Sequence, residues 1–281
     1  MKPEKPAATA AAQPELPRTG TQSIERVVGM LRVVASRGRR GMRIAEVAST
    51  SGLPTSTCFR MLQRLELEGL VVRDALTRKY FLGPLLYELG QLAEPGYRLA
   101  DLCDAAMSAL AEQTQDTVYL SERRGLEAIC THRVLGDYPI KALTLDIGIR
   151  RPLGVGAGGL AMLAAMPEDE AEALIEANAH RYARFARFDA GFLRAEVQAT
   201  RERGHSFLDS AVTPGTAAVG VAFAAAPGER PIGAISVAAI SSRLTEPRLA
   251  EVVRQMQQQL RQISARLAAQ ASRPAAGAAR R

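Results

Sequence analysis

A chain of 281 residues with 47% hydrophobic and 23% charged residues has the composition of a folded globular protein, long enough for two domains. It has no apolar run of about 18 residues, which excludes a membrane-spanning helix, and Cys58, Cys103 and Cys130 are too few and too widely spaced for a disulfide framework. The net charge of +7 is uneven, with 11 Lys and Arg against 5 Asp and Glu in residues 21–83 but 19 against 22 in residues 84–271, so a basic nucleic-acid-binding front precedes a slightly acidic body.

Residues 1–20, "MKPEKPAATAAAQPELPRTG", are rich in Pro and Ala and predict a disordered tail without the apolar segment of a secretory leader. With thiols that suit a reducing compartment, the expected location is the cytoplasm. "SIERVVGMLRVVAS" predicts a helix capped by Ser23, with Ile24, Val27, Val28, Leu31 and Val34 on one face and Gly38 and Gly41 after its end. "MRIAEVAST" predicts a short second helix with Ile44, Val47 and Ala48 inward, closed by Gly52. Pro54 suits the start of a third, "TSTCFRMLQRLELEG", whose buried side is expected to be Phe59, Leu62, Leu65 and Leu67, with Gly69 as its stop. "LVVRD" and "RKYFLG", joined by "ALT", complete a winged helix-turn-helix over residues 21–83.

Reading a DNA sequence takes side chains that reach base edges in the major groove, with phosphate contacts to hold the helix there. Thr55, Ser56 and Thr57 place three hydroxyls at the start of the third helix, where a recognition helix meets the bases. Arg60 follows one turn later and Arg64 one turn beyond that. Either arginine suits guanine or a phosphate. The wing adds Arg73, Arg78, Lys79 and Tyr80 for the backbone or the minor groove. Cys58 reads as a small packed thiol.

Residues 84–114 are expected to be a helical linker. Leu85, Leu86, Leu89 and Leu92 form one stripe, Pro95-Gly96 interrupt it, and Leu99, Leu102, Ala106 and Leu110 resume it. Such a stripe serves a dimer or packs on its own domain. Residues 115–271 then predict strands at "TVYLSERR", "LEAICTHR", "KALTLDIG", "TAAVGVAFAA" and "IGAISVAAI", and helices at "GAGGLAMLAAM", "EDEAEALIEA" and "AGFLRAEVQATRERG". A long closing helix carries Val252, Val253, Met256, Leu260, Ile263 and Leu267 on one face. Grouped strands and helices suggest an α+β domain with a largely antiparallel sheet. Residues 272–281 predict a second disordered tail.

"RRPLGVGAGGLAML" (residues 150–163) holds Gly154, Gly156 and Gly159 in the spacing G-x-G-x-x-G. A dinucleotide site needs a buried strand before this turn and an acid about twenty residues on, at the end of a second strand. "GIRRPL" is a poor buried strand, and the position twenty after Gly154 is Leu174, within a helical pattern. No Lys-Ser/Thr follows, so the turn is no P-loop either. Two readings stand: the glycines let helix and sheet pack closely, or the free amides of a helix start hold an anion, with Ser236 donating from the sheet. Cys130 and His132 are expected on one strand face, but His180 and His205 lie elsewhere and no second close pair points to a metal. No cofactor and no catalytic set is expected.

The succession of "SIERVVGMLRVVA", "AEVASTSGLPTSTCFRMLQRLELEGLV", "YFLGPLLYELG", "RPLGVGAGGLAMLA", "RERGHSFLDS" and "IGAISVAAISSRLT" resembles the IclR family of bacterial transcription regulators, over roughly Thr21 to Gln270. The resemblance implies a winged helix-turn-helix, a dimerising helical linker and a GAF-like α/β effector-binding domain over residues 115–271. It also implies dimers that pair into tetramers, and small organic, often carboxylic, effectors that alter operator occupancy. Carried over by motif, its pocket positions are Gly156, Ala157, Asp209, Ala217, Val219, Ser236 and Ala238. Ala238 stands where a polar residue is common and Val219 where a cysteine can stand, which implies a more apolar pocket. The expected function is therefore a non-enzymatic, ligand-responsive regulator of operator DNA. The rivals are an enzyme fused to a DNA-binding domain, and a DNA-binding dimer with a purely structural rear domain.

Overall fold

In the computed structural model, which describes residues 22–92, 99–226 and 228–271, the chain divides into two compact units, Met1–Leu92 and Ala93–Arg281. The expected tails at 1–20 and 272–281, and the Pro95-Gly96 interruption, lie outside the described residues.

The first unit contains α1 (Gln22–Ala35), α2 (Ile44–Ser51), α3 (Thr55–Leu67), β1 (Val71–Arg73), β2 (Tyr80–Leu82) and α4 (Pro84–Leu92). α1 already includes Gln22, so Ser23 lies within the helix and does not cap it. Met30, Val34, Met42, Val47, Cys58, Leu62, Leu65, Val71 and Tyr80 make the core. The buried stripe of α3 is Cys58, Leu62 and Leu65, spaced i, i+4, i+7, while Phe59 and Leu67 are exposed. The expected face was rotated because the small Cys58 thiol, 3.8 Å from the Leu53 carbonyl, takes the inward place beside the turn. On α1, Ile24 and Val28 are likewise exposed. Gly69, at φ +71°, lets the Leu70 N–H return to the Leu65 carbonyl at 2.9 Å and closes α3. β1 and β2 pair antiparallel, and the Asp74 carboxylate accepts from the Thr77 hydroxyl (2.6 Å) and N–H (2.7 Å) in the turn between them.

The second unit contains α5 (Leu99–Thr114), β3 (Thr117–Arg124), β4 (Glu127–Val134), β5 (Arg150–Pro152), α6 (Ala157–Ala164), α7 (Glu168–Tyr182), α8 (Ala190–Arg203), β6 (Ser206–Asp209), β7 (Thr216–Ala224), β8 (Pro231–Ile240) and α9 (Arg248–Ala271). The strands form one antiparallel sheet in the order β5-β4-β3-β8-β7-β6. Alternation divides its side chains between two layers. Val118, Leu120, Val219, Val237 and Ala239 pack against α5 and α9, whereas Ala128, Leu208 and Ala234 pack against α6, α7 and α8. Asp116 is buried at the start of β3 and accepts from Arg243 (2.9 Å) and Arg248 (2.8 Å), with Tyr138 stacked on the Arg243 guanidinium. These contacts tie the end of β8 and the start of α9 to the sheet.

The structure decides one open reading and corrects other expectations. Leu99, Leu102, Ala106 and Leu110 belong to the core of the second unit, so that part of the leucine stripe packs on its own domain. In α4, by contrast, no residue is buried. "KALTLDIG" forms no strand. The place beside β4 is taken by β5, and the preceding loop is fixed from beneath by Tyr119, whose hydroxyl donates to the Ala142 carbonyl at 2.7 Å. Cys130 and His132 do not share a strand face. The register skips Thr131, so Cys130 packs with Tyr119 and Ala142 while His132 pairs with Asp104 of α5 at 2.8 Å. No helix among the described residues is long and apolar enough to cross a membrane.

Candidate functional site

The outer side of α3 presents Thr55, Ser56, Arg60 and Arg64 to solvent, with Thr57 half-buried. Arg60 has no ion-pair partner among the described residues, whereas Arg64 is bound by Glu68 one turn on. On the wing, Arg78 is exposed at φ +58° beside the Thr77 turn. Lys79 donates to the Arg40 carbonyl at 3.0 Å, and Arg73 lies 5.5 Å from the Tyr80 ring centroid. Tyr80 is a correction. It is 1% exposed, within the core and cross-bridged to the Met42 backbone, so it supports the wing and does not present itself to a partner.

The second unit holds a recess, open to solvent, between the sheet and the first turn of α6. Gly156, Ala157, Ser236 and Ala238 line it, together with Tyr119, Ser121, Thr144, Arg151, Thr216 and Ala218. Four of the seven expected pocket residues are thus brought together. Ala217 and Val219 are not among them: they face the α5 and α9 layer, and their neighbours Thr216 and Ala218 face the recess. A strand has a period of two, so a shift of one position transfers every side chain to the other face. Asp209 misses for the same reason. Leu208 lines the recess, while the exposed Asp209 accepts from Ser210 (3.0 Å) and Ser241 (2.5 Å) at the end of β6.

The glycine turn shapes this recess. Gly154 and Gly156 have φ of +99° and +88°, a region that side-chain-bearing residues disfavour. They reverse the chain between β5 and α6. The position twenty after Gly154, Leu174, is a core residue of α7, and the neighbouring strands are antiparallel, so no βαβ nucleotide unit is formed. The first α6 hydrogen bond runs from Leu160 N–H to the Gly156 carbonyl at 2.9 Å, which leaves the N–H groups of Ala157, Gly158 and Gly159 ahead of it.

Among the lining residues that the sequence analysis does not name, Ser121 and Arg151 bear most on the chemistry. Ser121 follows Tyr119 by two in "TVYLSERR", which was enough to place both on one face. Arg151 is one of the paired arginines of "GIRRPL", and nothing in the sequence tells which of the two turns inward. In the structure Arg150 is bound to Glu127 at 3.1 Å, while Arg151 lines the recess and donates to the Thr144 carbonyl. Burial holds the Arg151 pKa below the usual arginine value.

Two family models cover most of the chain: the IclR helix-turn-helix domain over residues 23–75 and the bacterial transcriptional regulator IclR C-terminal domain over residues 96–265. The chain belongs to the IclR family. It is 29% identical to the HTH-type transcriptional regulator KipR of Bacillus subtilis, covering 80% of this chain and 90% of that protein. It is 28% identical to XynR of Escherichia coli over 84% and 93% of the two chains. An IclR transcriptional regulator from Alicyclobacillus acidocaldarius shares the fold with a TM-score of 0.69 at 22% identity, over 87% and 98% of the two chains. An IclR homologue from Microbacterium hydrocarbonoxydans, solved with 4-hydroxybenzoate, gives 0.68 at 19% identity, over 88% and 99%. As in IclR-family regulators generally, a helix-turn-helix DNA-binding domain precedes an effector domain of mixed α and β structure.

Proposed function

We propose that this IclR-family protein binds operator DNA as a dimer or a pair of dimers and releases or engages it in response to a small organic carboxylate. The DNA contacts are assigned to Thr55, Ser56, Thr57, Arg60 and Arg64 of α3, with Arg73, Arg78 and Lys79 of the wing adding backbone contacts. The effector site is the recess under α6, walled by Gly156, Ala157, Ser236 and Ala238. The observation that carries this reading is a pair of hydroxyls: Ser121 and Ser236 are 5% and 7% exposed, line the recess, and have no hydrogen-bond partner among the described residues. Both hydroxyls open onto the recess, where a ligand can supply the hydrogen-bond partner that the protein does not. The fold neighbour solved with 4-hydroxybenzoate supports a carboxylic ligand.

Paired recognition helices must meet half-sites about 34 Å apart, so a ligand-induced change in their spacing alters affinity. The protein works in the cytoplasm, where the operator is. The test is a thermal-shift screen of small carboxylic acids beside gel-shift binding to duplexes selected from random DNA. An acid that both stabilises the protein and changes duplex affinity supports the reading. An acid that stabilises without affecting the duplex leaves the rear domain without a regulatory role.

A further inference from the structure

We infer that Arg151 is the specificity-determining residue of the recess, seating the ligand's carboxylate between its guanidinium and the open first turn of α6. This rests on reading the recess as the effector site. An arginine stays charged at physiological pH, and a cation taken from water without a counter-ion is unfavourable. Arg150, its neighbour, is matched by Glu127. Among the described residues Arg151 has no carboxylate partner, and its one hydrogen bond is to the Thr144 carbonyl.

The charge faces the right place. A Cβ on Gly156 would stand 3.4 Å from Arg151 Nη1, so the guanidinium tip reaches the residue that precedes α6. There the N–H groups of Ala157, Gly158 and Gly159 lie ahead of the first helical hydrogen bond. Amides and guanidinium together make a site for one carboxylate. Gly158 keeps the approach open, since a Cβ there would come within 3.0 Å of Ser121 Oγ and 3.7 Å of Ser236 Oγ. These two hydroxyls, on mostly buried residues and without a hydrogen-bond partner among the described residues, lie just inside and suit a second polar atom of the ligand. Leu145, Val155, Leu208, Val212, Ala218 and Ala238 give the rest of the wall an apolar part beside Tyr119, Thr144 and Thr216, and the lining includes no acid. The ligand class is a monocarboxylate with a compact apolar body, in preference to a cation or a neutral molecule of the same shape.

The experiment compares acids with their isosteric amides on the full chain by calorimetry: butyrate with butyramide, benzoate with benzamide, and 4-hydroxybenzoate with 4-hydroxybenzamide. In the wild type at least one acid should bind about tenfold or more tightly than its amide. In Arg151→Gln that ratio should fall below about threefold through loss of acid affinity, with the amide still bound. Arg151→Lys, which keeps the charge without the fork, should give an intermediate ratio and serves if the glutamine variant fails to fold. Undiminished acid preference in Arg151→Gln, or in Arg151→Lys if that variant alone folds, overturns the assignment and leaves the recess as a binding site. So does a wild type that binds amides as well as acids. If no acid or amide binds, the recess reading falls, and this inference with it.

Discussion

Gly220 on β7 passes so close to Ala157 at the start of α6 that a Cβ on the glycine would stand 2.6 Å from the Ala157 carbonyl oxygen. Ser206 occupies the adjoining space and donates to the same carbonyl at 2.7 Å. The strand thus carries the first turn of the helix directly. Gly220→Ala must push α6 away from the sheet, and the expected cost is roughly 1–3 kcal/mol, as for other overpacked interiors. Urea unfolding should report this loss and a ligand titration a weaker acid response. A variant with wild-type values in both would show that α6 is not seated on Gly220.

Operator affinity should depend more on Arg60 than on Arg64. Arg60 is unpaired among the described residues, while Arg64 is engaged by Glu68 and must leave it to meet DNA. Arg60→Ala is expected to weaken binding to a selected duplex by about 1–3 kcal/mol at fixed salt, with Arg64→Ala costing less. Affinity of the wild type should also fall steeply from 50 to about 200 mM salt, because phosphate contacts release counterions. A flat salt response would remove DNA binding from the assignment.

Tyr80 should act through stability. Its ring is buried between the wing and the helices, so Tyr80→Ala is expected to cost about 3–5 kcal/mol. The readout is the thermal transition of residues 22–92 within the full chain, followed by circular dichroism. A variant that melts like the wild type yet fails to bind DNA would return Tyr80 to the interface.

Glu127 gives a pH signature. Burial alone would raise its pKa, but hydrogen bonds and charge from Arg181 and Arg150 outweigh that and hold it below the usual glutamate value. A depressed folded pKa means the contribution is present above the unfolded value, near 4.5, and is lost as pH falls through the folded one. Glu127→Gln should therefore unfold at lower urea than the wild type at pH 7, and the two should converge well below about pH 4. An equal difference at both pH values would mean that Glu127 contributes by shape rather than charge.

The sequence pattern made the long elements legible because each buries one regular face. β3, β7, β8 and α9 appear where alternation or a 3.6-residue stripe is strong. β5 and β6 are three and four residues long, too short to carry a period. "KALTLDIG" alternates like a strand, yet Leu143 and Ile147 are exposed and the edge of β4 is already occupied. In the pocket, Gly156, Ala157, Ser236 and Ala238 were legible through motif position, whereas Ala217 and Val219 were displaced by one residue in register. Arg151 was invisible for a different reason. Charge on paper does not say which of two adjacent arginines finds a carboxylate, and here Glu127 takes Arg150.

The alternation along β7 and β8 has a consequence for how such a protein diversifies. Val219 and Val237 belong to the structural layer, while their neighbours Ala218, Ser236 and Ala238 line the recess. Substitutions at the wall positions change what the recess accepts without touching the packing that holds the sheet to α5 and α9. The shape of the recess and the packing of the sheet are therefore carried by alternate residues of the same two strands, and one can change while the other is kept.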